Sequence, residues 1–171
     1  MLNEKHILIL DDDAAAREQT QLVLNFIGEQ TLARGLDEWL SGKGELGDDT
    51  DISVSDIGLI VLTPWAEESA FNKVLKRITD IRDNVPLAIL GEDYSIPDDL
   101  DPSMKQAIVA QLAVPLHYNH VNDAIHRAQR YNEAQNFAQD QRGRRPSHLF
   151  RSLVGTSRLV KNVRTVMSQV A

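Results

Sequence analysis

Five short apolar runs, each closed by a turn-forming residue and most followed by a stretch with helical spacing, constrain this chain more than anything else in it. The first, His6-Ile7-Leu8-Ile9-Leu10, is halted by Asp11-Asp12-Asp13. Gly58 to Leu62, Val85 to Leu90 and Ile108 to Ala113 repeat the pattern, and Thr31-Leu32-Ala33-Arg34 is a weaker edge candidate. Runs of this length, apolar throughout, suit strands of a parallel sheet buried on both faces. Between them, Ala14 to Ile27 reads as a helix carrying Leu22, Leu24, Phe26 and Ile27, capped by Asp13 and ended by Gly28. A short helix is expected around Leu36 to Leu40, and the Gly-rich, acidic stretch Ser41 to Ser55 reads as a loop. Pro64 stops the third run, and Glu67 to Arg82 follows with Phe71, Val74, Leu75, Ile78 and Ile81 on one helical face. A short helix near Ser103 to Gln106 precedes the fifth run. Asn119 is placed to cap a long helix from His120 to about Gln141, which Gly143 ends and Pro146 keeps from restarting.

Strands alternating with helices predict an α/β fold with helices on both faces of the sheet. Five such units in this length match the flavodoxin-like, doubly wound five-stranded parallel sheet of order 2-1-3-4-5, here with a C-terminal helical extension. Any ligand then belongs beyond the carboxyl ends of the first and third strands, where Asp11, Asp12, Asp13 and Thr63 converge. With no cysteine among 171 residues, disulfides, thiol catalysis and Cys-based zinc sites are excluded. No apolar run approaches the ~20 residues of a membrane span, and the N-terminus lacks a signal peptide's basic start and apolar core, so a cytoplasmic protein is expected. The net charge of −7 hides a division: all 25 acidic residues lie at or before Asp140, whereas seven of the 18 Lys and Arg lie after it. Subtracting 25 from the remaining 11 gives −14 up to position 140, against +7 beyond. Two units with different partners are implied.

In this order of elements, with the acidic pair Asp11-Asp12 after the first strand and Val114-Pro115 after the fifth, residues 6 to about 130 resemble a response-regulator receiver domain. A working receiver pairs those acids with a phospho-accepting Asp after strand three, and together they hold Mg²⁺ through hard oxygen ligands. A Ser or Thr after strand four and a Lys before the strand-five proline reach the phosphoryl oxygens. By that resemblance only Asp11 and Asp12 match. The accepting position falls on Thr63, the hydroxyl position on Gly91 and the lysine position on Val114, so the resemblance implies a degenerate phosphorylation site with no catalytic residue and no metal. Threonine cannot form an acyl phosphate. Val114-Pro115 remains a candidate for a cis peptide.

A rival register makes Asp56 the acceptor, with Ile52-Ser53-Val54-Ser55 as the strand, and describes a phosphorylatable receiver. That strand alternates apolar and polar residues, as a half-exposed edge does, whereas a central parallel strand is apolar throughout. Asp11-Asp12-Asp13 also has a plain reading as carboxylates favoured by a helix N-terminus. His117, His120 and His126 lie close in sequence, but only the first two have a ligand-like spacing, and they span the start of a helix with no third ligand. They read as solvent-facing.

From Leu149 the text changes. Leu149-Phe150-Arg151-Ser152-Leu153-Val154-Gly155-Thr156-Ser157 precedes Leu159, Val160, Val163, Val166, Met167 and Val170 at helical spacing. This is similar to the opening of the AAA+ domain of sigma-54-dependent activators. No G-x-x-x-x-G-K-[ST] occurs before Ala171, so the chain is expected to be a non-enzymatic regulatory fragment of a longer AAA+ ATPase. Among such activators, Asn25-Phe26-Ile27-Gly28-Glu29, His126-Arg127-Ala128-Gln129, Tyr131 and Leu149 to Gly155 resemble the flagellar regulators of FleQ/FlrA type. That resemblance implies three regions: a degenerate receiver at 1–130, a helical extension and linker at 131–148, and the start of a sigma-54 interaction domain at 149–171. It further implies cyclic di-GMP binding through Arg151, whose planar guanidinium suits guanine or phosphate oxygens. ATP/Mg, sigma-54 RNA polymerase and promoter DNA would be met by the rest of the protein, and no cofactor is expected in this fragment. The basic tail is weakly equipped for nucleic acid, with Phe150 as its one aromatic. Val121, Ile125, Ala128 and Tyr131 offer the long helix a docking or pairing face, while Gln135 to Gln141 is mostly polar. A polar extension of that kind needs a partner helix, and a homodimer is expected.

Overall fold

The computed structural model describes residues 2, 4–41, 46, 51–63 and 68–153, the side chains of 68–70 and 143–153 excepted. Five strands form one parallel sheet: β1 (His6–Leu10), β2 (Gln30–Arg34), β3 (Ile57–Leu62), β4 (Leu87–Leu90) and β5 (Ile108–Leu112), ordered β2-β1-β3-β4-β5. Strand β1 pairs along its whole length with both β2 and β3. Every residue of β3 is buried, as a central strand covered on both faces requires.

The pleat sends alternate residues to two cores. Leu8, Leu10, Ile60, Leu62, Leu87 and Ile89 face one way. They meet α2 (Leu36–Ser41) through Leu36 and Trp39, and α3 (Glu68–Ile81) through Phe71, Val74, Leu75 and Ile78. Ile7, Ile9, Leu59, Val61, Ala88 and Leu90 face the other way, against Leu24 of α1 (Ala14–Phe26) and Val121, Ala124, Ile125 and Ala128 of α5 (Tyr118–Leu153). A fifth helix, α4 (Pro102–Ala107), starts at Asp101, which accepts a hydrogen bond from the Ser103 N–H. The predicted doubly wound order is therefore the observed one.

Local signals explain most element ends. The Asp13 side chain accepts from the N–H groups of Ala15 and Ala16 and starts α1, and Gly28 leaves it at φ 96°, where a side chain is disfavoured. Thr20 and Leu24 are the buried residues of α1, whereas Leu22 and Phe26 are exposed. The apolar pattern expected on that helix is thus only half used by the core. Val121, Ile125 and Ala128 are consumed by docking α5 onto its own sheet, and the Asn132 side chain donates to the Gly58 carbonyl at 2.8 Å.

The rival register fails at its strand, and the bounds of the long helix need correction. Residues 52–55 form no strand; Val54–Asp56 is a 3-10 turn closed by reciprocal Ser53 and Asp56 hydrogen bonds, leading into β3. The long helix begins at Tyr118, with Asn119 inside it, and continues past Gly143 and Pro146 to Leu153. An interior glycine costs about 1 kcal/mol and a proline about 3 kcal/mol, a cost rather than a prohibition. The chain divides into two compact units, residues 1–133 and 134–171. Pro64 and Glu67, most of the expected loop at 42–50, and residues 154–171 with their helically spaced apolar positions lie outside the described residues. Among the described residues no helix is long and apolar enough to cross a membrane.

Candidate functional site

The carboxyl ends of β1 and β3 set the site. Adjacent parallel strands put Leu10 beside Leu62, and the Thr63 N–H donates to the Leu10 carbonyl, so the residues after the two strands are neighbours. The Thr63 hydroxyl donates to Asp11 Oδ2 at 2.6 Å. The other carboxylate oxygen, Oδ1, accepts from the Asp13 N–H at 2.8 Å. Asp11 is 4 % exposed. Arg17 approaches but gives its Nη1 donor to the Asp11 main-chain oxygen at 2.6 Å, leaving the carboxylate to its hydroxyl and amide donors.

The acidic triple is split among three tasks. Asp11 faces Thr63, whereas Asp13 caps α1. Asp12 Oδ1 accepts from the N–H groups of Leu36 at 2.7 Å and Asp37 at 3.2 Å, and so starts α2. An acidic pair serves a hard cation when both carboxylates turn to one point with further oxygens beside them. Here Asp12 is held by backbone donors and Asp11 by a hydroxyl. Among the described residues no three His, Asp or Glu side chains gather as a metal set.

Gly91 follows β4 at φ 125° and donates its N–H to the Leu112 carbonyl at 2.8 Å. A side chain at that backbone conformation would be strained, so position 91 carries main-chain structure rather than a hydroxyl. Val114 precedes a cis peptide bond to Pro115 and is 69 % exposed. The backbone of Arg151 lies in α5, and its side chain is outside the described residues.

A cavity of about 300 Å³ opens between α1 and the β5–α5 turn, with Asp11 and Thr63 at its base. One wall is the α1 face made by Ala16, Gln19, Thr20 and Val23. The opposite wall is Leu90, Val114, Pro115 and Leu116. The fold thus places Asp11, Thr63 and Val114 around one cavity, while Asp12 and Asp13, expected to converge there too, belong to the starts of α2 and α1. Arg17 and the α1 wall were not singled out from sequence. Their signal is the spacing 16, 19, 20, 23, which falls on one face once Asp13 fixes where the helix begins.

Asp56 sits at the opposite end of β3 from Thr63, about 23 Å away along seven residue steps at about 3.3 Å each. Its neighbours there are Lys5 and Arg82. Burial lowers the Lys5 pKa, the Arg82 charge lowers it further, and the Asp56 charge opposes both. Burial likewise lowers the Arg82 pKa against the pull of Asp56, while Arg82 Nη1 donates to the carbonyls of Val54, Ser55 and Ile57. This cluster closes the amino end of the sheet, and the register that made Asp56 the phosphoryl acceptor fails because no strand delivers it to Asp11. The rings of His117 and His120 meet edge-on at 5.9 Å, and His126 Nδ1 lies 3.2 Å from Gln129 Oε1.

Residues 6–130 match the family described as flagellar regulatory protein FleQ. Among solved structures, the response regulator StyR is similar at 20 % identity and a TM-score of 0.55, over 89 % of this chain and 72 % of that one. NtrX from Brucella abortus gives 17 % and 0.56, over 96 % of this chain but 34 % of its own. A response-regulator receiver domain from Clostridium thermocellum gives 18 % and 0.52, over 77 % and 98 %. At such identities the structural likeness is one of fold.

Proposed function

The chain belongs to the FleQ family of flagellar regulatory proteins, and from that premise we propose that it is a regulatory receiver-like domain of a transcription activator that takes no phosphoryl group. The observation that carries this reading is the Thr63–Asp11 hydrogen bond. Where phosphoryl transfer needs an acceptor carboxylate and a metal poised beside it, this site presents a hydroxyl that donates to the one inward-facing acid. Gly91 and Val114 offer neither the hydroxyl nor the cation that would balance charge on the transferred group. In this reading the domain's work is to present surfaces.

The signal is then passed by other means. In this reading the chain is the N-terminal part of a sigma-54-dependent AAA+ activator, acting in the cytoplasm as a homodimer. Its receiver occupies 1–130, a helical linker 131–148, and the start of the ATPase region 149–171. The ATPase of the same chain would bind ATP/Mg and cyclic di-GMP, with Arg151 among the dinucleotide contacts, and engage sigma-54 RNA polymerase and promoter DNA. Support for pairing comes from α5 residues 135–142, which are polar apart from Ala138 and an exposed Phe137, so their helicity calls for a partner surface.

The deciding experiment is incubation with acetyl phosphate and Mg²⁺ followed by intact mass. The expected result is no gain of a phosphoryl group; a stoichiometric adduct at any residue of the receiver overturns the reading. Sedimentation at micromolar concentration is expected to show a dimer, and a monomer alone would remove that part of the proposal.

A further inference from the structure

We propose that the cavity over Asp11 is a binding site for a compact organic cation, an ammonium group on an apolar body. Two observations on different scales carry this. Asp11 is a carboxylate only 4 % exposed, and no basic side chain among the described residues pairs with that group. A carboxylate has about four acceptor positions, and Asp11 uses one from Thr63 and one from the Asp13 N–H, so acceptor capacity remains at the base of an open cavity. Burying a charge is costly unless it is paired, and a cation entering here supplies the missing partner.

The walls define the rest of the ligand. Val23, Leu90, Val114, Pro115 and Leu116 are apolar, with the Thr20 hydroxyl and Gln19 amide on one side. At about 300 Å³ the space lies at the small end of ligand pockets, which run from about 300 to 1,000 Å³. An anion would meet the uncompensated carboxylate and be repelled. A neutral apolar molecule would bury its body but leave Asp11 as it is. A primary amine satisfies both, its head at Asp11 and its carbon chain between Val23 and Pro115.

The inference rests on reading this end of the sheet as the input site of a regulatory domain, but its test is separate. A failure to bind leaves the acetyl-phosphate result untouched, and an adduct there would not decide binding here. The test is a two-dimensional amide NMR titration of the whole chain with n-pentylammonium chloride, alongside n-pentanol and sodium pentanoate. Expected are saturable shifts at Thr20, Thr63 and Val114 for the ammonium, affinity lower by about tenfold or more for the alcohol that lacks a charged donor, and none for the carboxylate. Asp11→Asn should remove the preference of ammonium over alcohol. Should that variant not fold, Val114→Lys serves, since its own four-carbon stem and ammonium would fill the cavity and abolish binding. Equal binding of pentanol and pentylammonium, shifts that do not saturate, or undiminished binding to Val114→Lys would each overturn the proposal.

Discussion

Replacing Thr63 with valine isolates the contact on which the site is built. The side chains have nearly the same shape, so the half-buried position keeps its packing and loses only the donor to Asp11 Oδ2 at 2.6 Å. A hydrogen bond to a charged group contributes about 1.5–3 kcal/mol, more than a neutral pair, because the carboxylate left behind stays desolvated. The methyl that replaces the hydroxyl returns about 0.5 kcal/mol where it is partly covered. A net loss of about 1–2.5 kcal/mol follows, or roughly 3–8 °C in melting temperature for a domain of this size. Urea denaturation with a fixed slope measures it directly. The attribution is checked by a double-mutant cycle with Asp11→Asn, whose coupling energy should be about 1–2 kcal/mol. A valine variant as stable as the wild type, or a coupling indistinguishable from zero, would refute the argument that the Thr63 hydroxyl stabilises the buried acid by hydrogen bonding.

Two other sites give checks independent of the first. Asn132→Ala strands the buried Gly58 carbonyl at the base of β3, and a loss of about 1–3 kcal/mol is expected in the same urea assay. Lys5 tests the electrostatics at the amino end of the sheet, where burial and Arg82 lower its pKa below the ordinary lysine value of 10.5. The unfolded chain then holds a proton that the folded chain has shed, so stability rises with pH between the lowered value and 10.5. Lys5→Gln should flatten that rise in denaturation midpoints measured from neutral to alkaline pH, and parallel profiles would count against it.

Much of this architecture is written in short-range signals. Asp13 and Gly28 mark both ends of α1, and the all-apolar Gly58 to Leu62 run separates the central strand from the alternating Ile52 to Ser55. Residue type was the poorer guide on α1. The buried or half-buried positions there are Ala16, Arg17, Thr20, Gln21, Val23 and Leu24, a helical face that includes three polar residues, while Leu22 and Phe26 point to solvent. Asp12 was legible as an acid but not as the start of α2, because its hydrogen bonds reach across 24 and 25 residues and depend on the sheet having formed. The cavity was invisible for the same reason: it exists only where the α1 face and the turn after β5 meet. Gly143 and Pro146 show the limit of punctuation residues, which set a cost for a helix rather than forbid it.

Putting an acceptor back tests whether the site has merely lost one group. Thr63→Asp places a second carboxylate against Asp11 and removes the donor that now balances it. Two unit charges about 4 Å apart repel by up to about 4 kcal/mol at an effective dielectric near 20, so in EDTA this variant should melt below both the wild type and Thr63→Val. Mg²⁺ bridging the two acids would restore stability by mass action. Asp12 Oδ1 is held by the amides of Leu36 and Asp37 at the start of a six-residue helix, so turning this carboxylate toward the ion strains those bonds and weakens the metal site. Val114→Lys, added to Thr63→Asp, should recover part of the loss without metal, since it brings a cation to the same cavity. The expected pattern is therefore a Mg²⁺-dependent rise in melting temperature for Thr63→Asp and little for the wild type. An equal rise in the wild type would mean that Asp11 and Asp12 already hold the ion together, and that the division of the acids between Thr63 and α2 does not govern the chemistry.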